Sequence, residues 1–147
     1  MKYLFLAEKP STMKTIKDVY NTSGKPIGDI DFLALAGHVC KMSEPKAYKK
    51  WNVKWKDREL PMIPDRFKVE PMRADILNKI RSRLETGTYD AIIVGTDSDV
   101  EGNGIYDLLE TCLGLQNMKA YRFFESDLTK KIPPAIRNAN TPLIAVV

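Results

Sequence analysis

The chain has 147 residues, enough for one compact domain and too few for a large multi-domain machine. With 44% hydrophobic and 29% charged residues it has the makeup of a globular protein that buries a real core, which excludes a disordered or fibrous chain. The net charge is +4, and its distribution is uneven: residues 1–58 carry twelve Lys or Arg against six Asp or Glu, whereas Leu84 to Met118 holds seven acids and no Lys or Arg. An acidic island in a basic protein predicts a cation site beside a polyanion site.

Lys2 to Ala7 reads as a buried strand. Pro10-Ser11 then opens a helix with Met13, Ile16, Val19 and Tyr20 on one side. Asn21 to Gly28 is a turn-rich break, followed by a second strand over Ile30 to Ala36 that ends at Gly37-His38. From Lys41 to about residue 66 neither period persists, and Pro45, Pro61 and Pro64 punctuate the stretch. Tyr48, Trp51, Trp55 and Met62 make this an ordered excursion with material to pack. A short strand over Phe67 to Glu70 and a helix over Arg73 to Glu85 are expected next.

Ala91-Ile92-Ile93-Val94-Gly95 is a continuous aliphatic run of the kind buried on both faces of a parallel sheet, so it should be central. Ile105, Leu108, Leu109 and Cys112 mark the helix after it. A strand over Ala120 to Phe124 and a helical segment over Leu128 to Asn138 close the series. The alternation predicts an α/β domain over residues 1–147, with a central parallel sheet of about four strands flanked by helices. No apolar run approaches the ~20 residues of a membrane helix, and Glu8-Lys9 follows the first apolar run at once, so a cytoplasmic protein free of membranes is expected. Cys40 and Cys112 lack C-x-x-C spacing and read as buried free thiols.

Ligands of open parallel sheets collect at the carboxyl ends of the strands. Here the first strand delivers Glu8-Lys9, the second Gly37-His38, and the central one Thr96-Asp97-Ser98-Asp99-Val100-Glu101-Gly102. Asp97, Asp99 and Glu101 are expected to face one volume. Two such carboxylates ~5 Å apart repel by about 3 kcal/mol at an effective dielectric of ~20, which a hard cation such as Mg²⁺ relieves. The competing reading is that acids at a helix start cap it and complement its dipole. Glu8 next to Lys9 lets one side chain reach the ion while the other reaches a phosphate. The ribbon from Lys46 to Arg58 interleaves cations with large rings. Lys49, Lys50 and Lys54 could follow a phosphate backbone while bases stack on Trp51 or Trp55, and a core-covering excursion with solvated lysines explains it equally well. His38, the only histidine, reads as a polar residue that anchors its loop or as a catalytic one.

Leu6-Ala7-Glu8-Lys9-Pro10-Ser11 resembles the opening of the toprim domain of type IA DNA topoisomerases, particularly the topoisomerase III branch. Ala36-Gly37-His38-Val39 is similar to that family's A-x-G-H-hydrophobic element, and Asp97-x-Asp99-x-Glu101-Gly102 to its acidic metal motif. Leu60-Pro61-x-x-Pro64-x-x-Phe67, and Arg122-Phe123-Phe124 leading to Leu128-Thr129, continue the likeness over essentially the whole chain. The resemblance implies a Rossmann-like toprim fold and Mg²⁺-dependent cleavage and rejoining of single-stranded DNA, in which a tyrosine on another domain forms a 5′-phosphotyrosyl link. It further implies that Glu8 handles the proton of the 3′ hydroxyl, that Lys9 stabilises the scissile phosphate, and that Asp97, Asp99 and Glu101, with Glu8 beside them, hold Mg²⁺. Arg122, Lys49, Lys50, Lys54, Trp51 and His38 are the expected DNA contacts.

Two positions depart from that family's habit: Val100 stands where an Arg is usual, and Asn103 where a Glu is common. No tyrosine-nucleophile domain is recognisable, so a fragment or short relative unable to relax DNA alone is expected, with the remaining topoisomerase domains as partners. Three other readings compete. A stand-alone toprim nuclease would open with an E-G-K-type element. A haloacid-dehalogenase-like phosphatase would place its D-x-D-[TV] near the amino terminus. The third is a degenerate, non-catalytic DNA-binding module.

Overall fold

The computed structural model describes residues 1–22 and 27–123. Four parallel strands, β1 (Lys2–Ala7), β2 (Asp29–Ala34), β5 (Ala91–Gly95) and β6 (Ala120–Arg122), form one sheet in the order β2-β1-β5-β6. The two inner strands are the aliphatic ones, and all five residues of β5 are buried. Side chains alternate across a strand, and β1 shows the consequence. Leu4 and Leu6 enter one core with Ile92, Val94, Ile80, Ile105 and Leu109, whereas Tyr3 and Phe5 enter a second core with Ile93, Ile16, Tyr20 and Phe123. One face is therefore covered by α2 (Ala74–Thr86) and α3 (Val100–Leu113), the other by α1 (Pro10–Thr22). This is the expected α/β architecture.

Helix starts and stops follow local chemistry. Pro10 sits in the first turn of α1, where an N–H would have no intrahelical acceptor. Gly114 ends α3 at φ 69°, a left-handed conformation that glycine adopts without a Cβ clash. β2 stops at Ala34, two residues before the expected end, because Ala36 (φ 55°) and Gly37 (φ 92°) turn the chain through the left-handed region.

The excursion is closed at its base by an unexpected strand. β3 (Cys40–Met42) pairs antiparallel with β4 (Val69–Pro71), which starts two residues later and ends one later than the strand expected over Phe67 to Glu70. Between them run three single-turn 3₁₀ helices, Pro45–Ala47, Lys49–Trp51 and Trp55–Asp57. Trp51 is 4% exposed and packs edge-on against Tyr48, whose hydroxyl accepts from the Lys68 amide at 2.7 Å. Trp55 is 70% exposed, with the Arg58 guanidinium 5.3 Å from its ring centroid. Phe124 and the segment Leu128 to Asn138 lie outside the described residues. No helix among the described residues is long and apolar enough to cross a membrane.

The Phe5 ring lies over Gly95 of the neighbouring strand. A Cβ at position 95 would overlap the Phe5 ring, which is itself held between Phe32 and Phe123 at centroid distances of 5.3 and 5.6 Å. Gly95→Ala is therefore expected to destabilise the domain by about 1–3 kcal/mol, read as a lower midpoint in urea unfolding at unchanged slope.

Candidate functional site

The site begins with register. Ala7 pairs with Gly95 on one side and with Ala34 on the other, so three strands finish level. Glu8-Lys9 and Thr96-Asp97 consequently leave the sheet side by side. The turn after β2 joins them, because the Leu35 amide donates to the Ala7 carbonyl at 2.8 Å and the Gly37 amide to the Glu8 carbonyl at 3.3 Å.

At this edge Glu8 Oε2 accepts from the Asp97 amide at 3.1 Å. Lys9 Nζ stands 3.2 Å from Asp97 Oδ2 and 3.7 Å from Glu8 Oε1, an ammonium between two carboxylates. The Glu8 side chain is only 14% exposed, while those of Lys9 and Asp97 are 58% and 52% exposed. Glu8 thus forms the floor and the other two the rim. The hydrogen bond to Asp97, and then the charges of Asp97 and Glu8, hold the Lys9 pKa above its ordinary value, so Lys9 is a cation at neutral pH.

Asp99 is turned elsewhere. Its Oδ1 accepts from the Gly102 amide at 2.7 Å, the bond of an N-cap, and the extended backbone of Asp99 suits that role. Glu101 is exposed in the first turn of α3, and Val100 is 90% exposed. Among the described residues no three Asp, Glu, His or Cys side chains come together as an ion cage. Of the acids expected to face one volume, Glu8 and Asp97 are brought together, while Asp99 gives one oxygen to the helix start and Glu101 stands in the first turn of α3. The donor chemistry still suits a hard divalent cation. Glu8 and Asp97 aim carboxylate oxygens at one point, where the Lys9 ammonium now stands, and Asp99 has a second oxygen beyond the one in the cap.

Other expected site residues fall into two groups. His38, Lys49, Lys50 and Lys54 are exposed, the first beside the Glu8 backbone through its loop and the others on the excursion. Trp51 and Arg122, also expected as DNA contacts, are buried, and of the two tryptophan rings the exposed one is Trp55. Arg122 lies behind the acidic loop. Its Nη1 donates to Thr96 Oγ1 at 2.8 Å and its Nη2 to the Asp97 carbonyl. Thr96, which sequence reasoning passed over, donates in turn to the Gly102 carbonyl at 2.7 Å. The only signal for it was its place directly after the central strand. Gly102 is obligatory here because a Cβ would overlap the Asp97 backbone.

Comparison with known proteins assigns the family. A family model described as the Toprim domain matches residues 3–126. A DNA topoisomerase 3 of Staphylococcus haemolyticus is 30% identical over 139 residues, 89% of this chain and 19% of the relative. One of Vibrio cholerae is 32% identical over 117 residues, 73% of this chain and 18% of the relative. One of Bacillus thuringiensis is 30% identical over 108 residues, 69% of this chain and 15% of the relative. The chain thus spans less than a fifth of the length of these curated relatives.

The cap gives the site a direct test. Asp99→Ala should cost about 1 kcal/mol in urea unfolding, whereas Asp99→Asn, whose amide oxygen still accepts from Gly102, should stay within a few tenths of wild type.

Proposed function

This chain belongs to the toprim family, and on that premise we propose that it supplies the proton- and phosphate-handling part of a type IA, topoisomerase III-like DNA topoisomerase acting on single-stranded DNA. The observation that carries the proposal is the meeting of Glu8, Lys9 and Asp97 at the level ends of β1 and β5. Likeness to segments of enzymes called DNA topoisomerase 3 supports it.

In this reading the Lys9 ammonium leaves Asp97 for a non-bridging oxygen of the scissile phosphate and neutralises the charge that develops there. The attacking tyrosine comes from another domain. Tyr106, the tyrosine nearest the acids in sequence, is 7% exposed within the core and is not available for that role. As the tyrosyl oxygen, its proton lost to solvent, bonds to phosphorus, the bond from phosphorus to the 3′ oxygen breaks and that oxygen takes the proton of a protonated Glu8 carboxyl; in rejoining the Glu8 carboxylate takes the proton of the 3′ hydroxyl back, and the released tyrosine regains one from solvent. Glu8 suits this task because its carboxylate is fixed by the Asp97 amide and largely sheltered from water. Glu8, Asp97 and the second oxygen of Asp99, with Glu101 at the rim, would hold Mg²⁺, which when bound supplies positive charge that aligns the DNA ends for rejoining. Lys49, Lys50, Lys54 and the Trp55 ring offer the strand an electrostatic track with a stacking face, and His38 is exposed in the loop whose Gly37 amide bonds the Glu8 carbonyl. Relaxation of DNA needs the other domains.

Calorimetry with Mg²⁺ and binding of a fluorescent single-stranded oligonucleotide test the proposal. Asp97→Asn should lower Mg²⁺ affinity about tenfold or more, and Lys9→Ala should weaken oligonucleotide binding about three- to tenfold with a shallower salt dependence. The chain alone should leave the oligonucleotide intact. Mg²⁺-dependent cutting that Glu8→Gln abolishes would instead establish a stand-alone nuclease.

A further inference from the structure

Arg122 is 9% exposed at the carboxyl end of the edge strand β6, opposite Val94 of β5. A guanidinium remains charged at any ordinary pH, and burying it carries a large desolvation cost unless partners compensate. The compensation is all on one side. Both terminal nitrogens point into the acidic loop, one to the Thr96 hydroxyl and one to the Asp97 carbonyl, and the charges of Asp107, Asp99, Asp97 and Glu8 favour the cation. Nε has no partner among the described residues, so the fork is committed to the loop and not to its own strand. Packing alone does not require this arrangement, because an unbranched apolar side chain would fill the same space without the desolvation cost.

We infer that Arg122 is a positioning residue for the acidic loop, a two-pronged clamp whose grip on Thr96 and on the Asp97 carbonyl directs the Asp97 carboxylate toward Glu8. The chain of bonds is continuous. Arg122 holds the Thr96 hydroxyl, that hydroxyl holds the Gly102 carbonyl, and the Gly102 amide holds Asp99. The other prong holds the Asp97 carbonyl, while the Asp97 amide faces Glu8. One buried side chain thereby ties the start of α3 to the end of β5 and sets the spacing of the two carboxylates that gather. In its ion-binding arm this inference rests on the reading of the site proposed above; its loop-geometry arm does not.

Two measurements on Arg122→Met, Arg122→Lys and Thr96→Val decide it. Amide NMR of the ion-free chain should show Asp97, Ser98 and Gly102 displaced, with hydrogen exchange at Gly102 about tenfold faster, while the amides of α1 stay in place. Mg²⁺ calorimetry should show at least a tenfold loss of affinity in Arg122→Met, although removing a nearby positive charge by itself raises cation affinity. Arg122→Lys should recover only part of the loss, because one ammonium does not reproduce the planar fork. Should Arg122→Met fail to fold, Thr96→Val removes one prong with a near-isosteric side chain and should give the same pattern at about three- to fivefold. Wild type that binds no Mg²⁺ would defeat the proposed function, and the amide measurement would then decide the clamp alone. Unmoved loop amides in folded variants, or Mg²⁺ affinity that is unchanged or rises in Arg122→Met, would overturn the clamp.

Discussion

The parallel pairing of β1 with β5 is the constraint on which the rest depends. Their register sets Ala7 opposite Gly95, and the next residues of both strands must then emerge together. Both strands are aliphatic and buried on two faces, so slipping the pairing by one residue would turn Phe5 and Leu6 into the wrong cores. Core packing is thus what brings Glu8 to Asp97 across 89 residues of sequence. Gly95 belongs to the same constraint, because the Phe5 ring occupies the space a side chain at 95 would fill.

Charge is handled in layers around that edge. Lys9 stands in front, exposed and mobile enough in its four-carbon stem to exchange a carboxylate for a phosphate. Arg122 stands behind, buried and fixed by two hydrogen bonds. Between them lie Glu8 and Asp97. Two neighbouring carboxylates at a strand edge repel one another, and cations on both sides offset that repulsion. Val100, at the position where related sequences usually carry an arginine, is 90% exposed, so the first turn of α3 adds no cation here. Positive charge near the acids comes from β1 and β6.

Much of this was legible from residue order. The strands β1 and β5 announced themselves by unbroken aliphatic runs, α2 and α3 by apolar residues three and four apart, and the Glu8-Lys9 and Asp97 pairing by their places at strand ends. What stayed hidden depends on contacts that no local pattern encodes. β3 has three residues, too few to show a period, and its partner β4 lies on the far side of the excursion. Trp51 and Trp55 fall in separate 3₁₀ turns, where a spacing of four does not put two rings on one face, and one is buried while the other is exposed. Asp99 looked like an ion ligand by spacing, but the start of α3 supplies an amide at 2.7 Å that claims one oxygen. The burial of Arg122 is visible only once β6 is laid against β5.

The central claim is that Glu8 and Asp97 form one electrostatic unit with Lys9 between them. Carboxylate-detected carbon NMR during a Mg²⁺ titration of the intact chain tests it most directly. The account predicts that the Glu8 and Asp97 side-chain signals move together with a single apparent affinity, while the Lys9 ε-carbon shifts as its ammonium is displaced. Independent movement of the two carboxylates, or an unmoved Glu8 while Asp97 titrates, would contradict it.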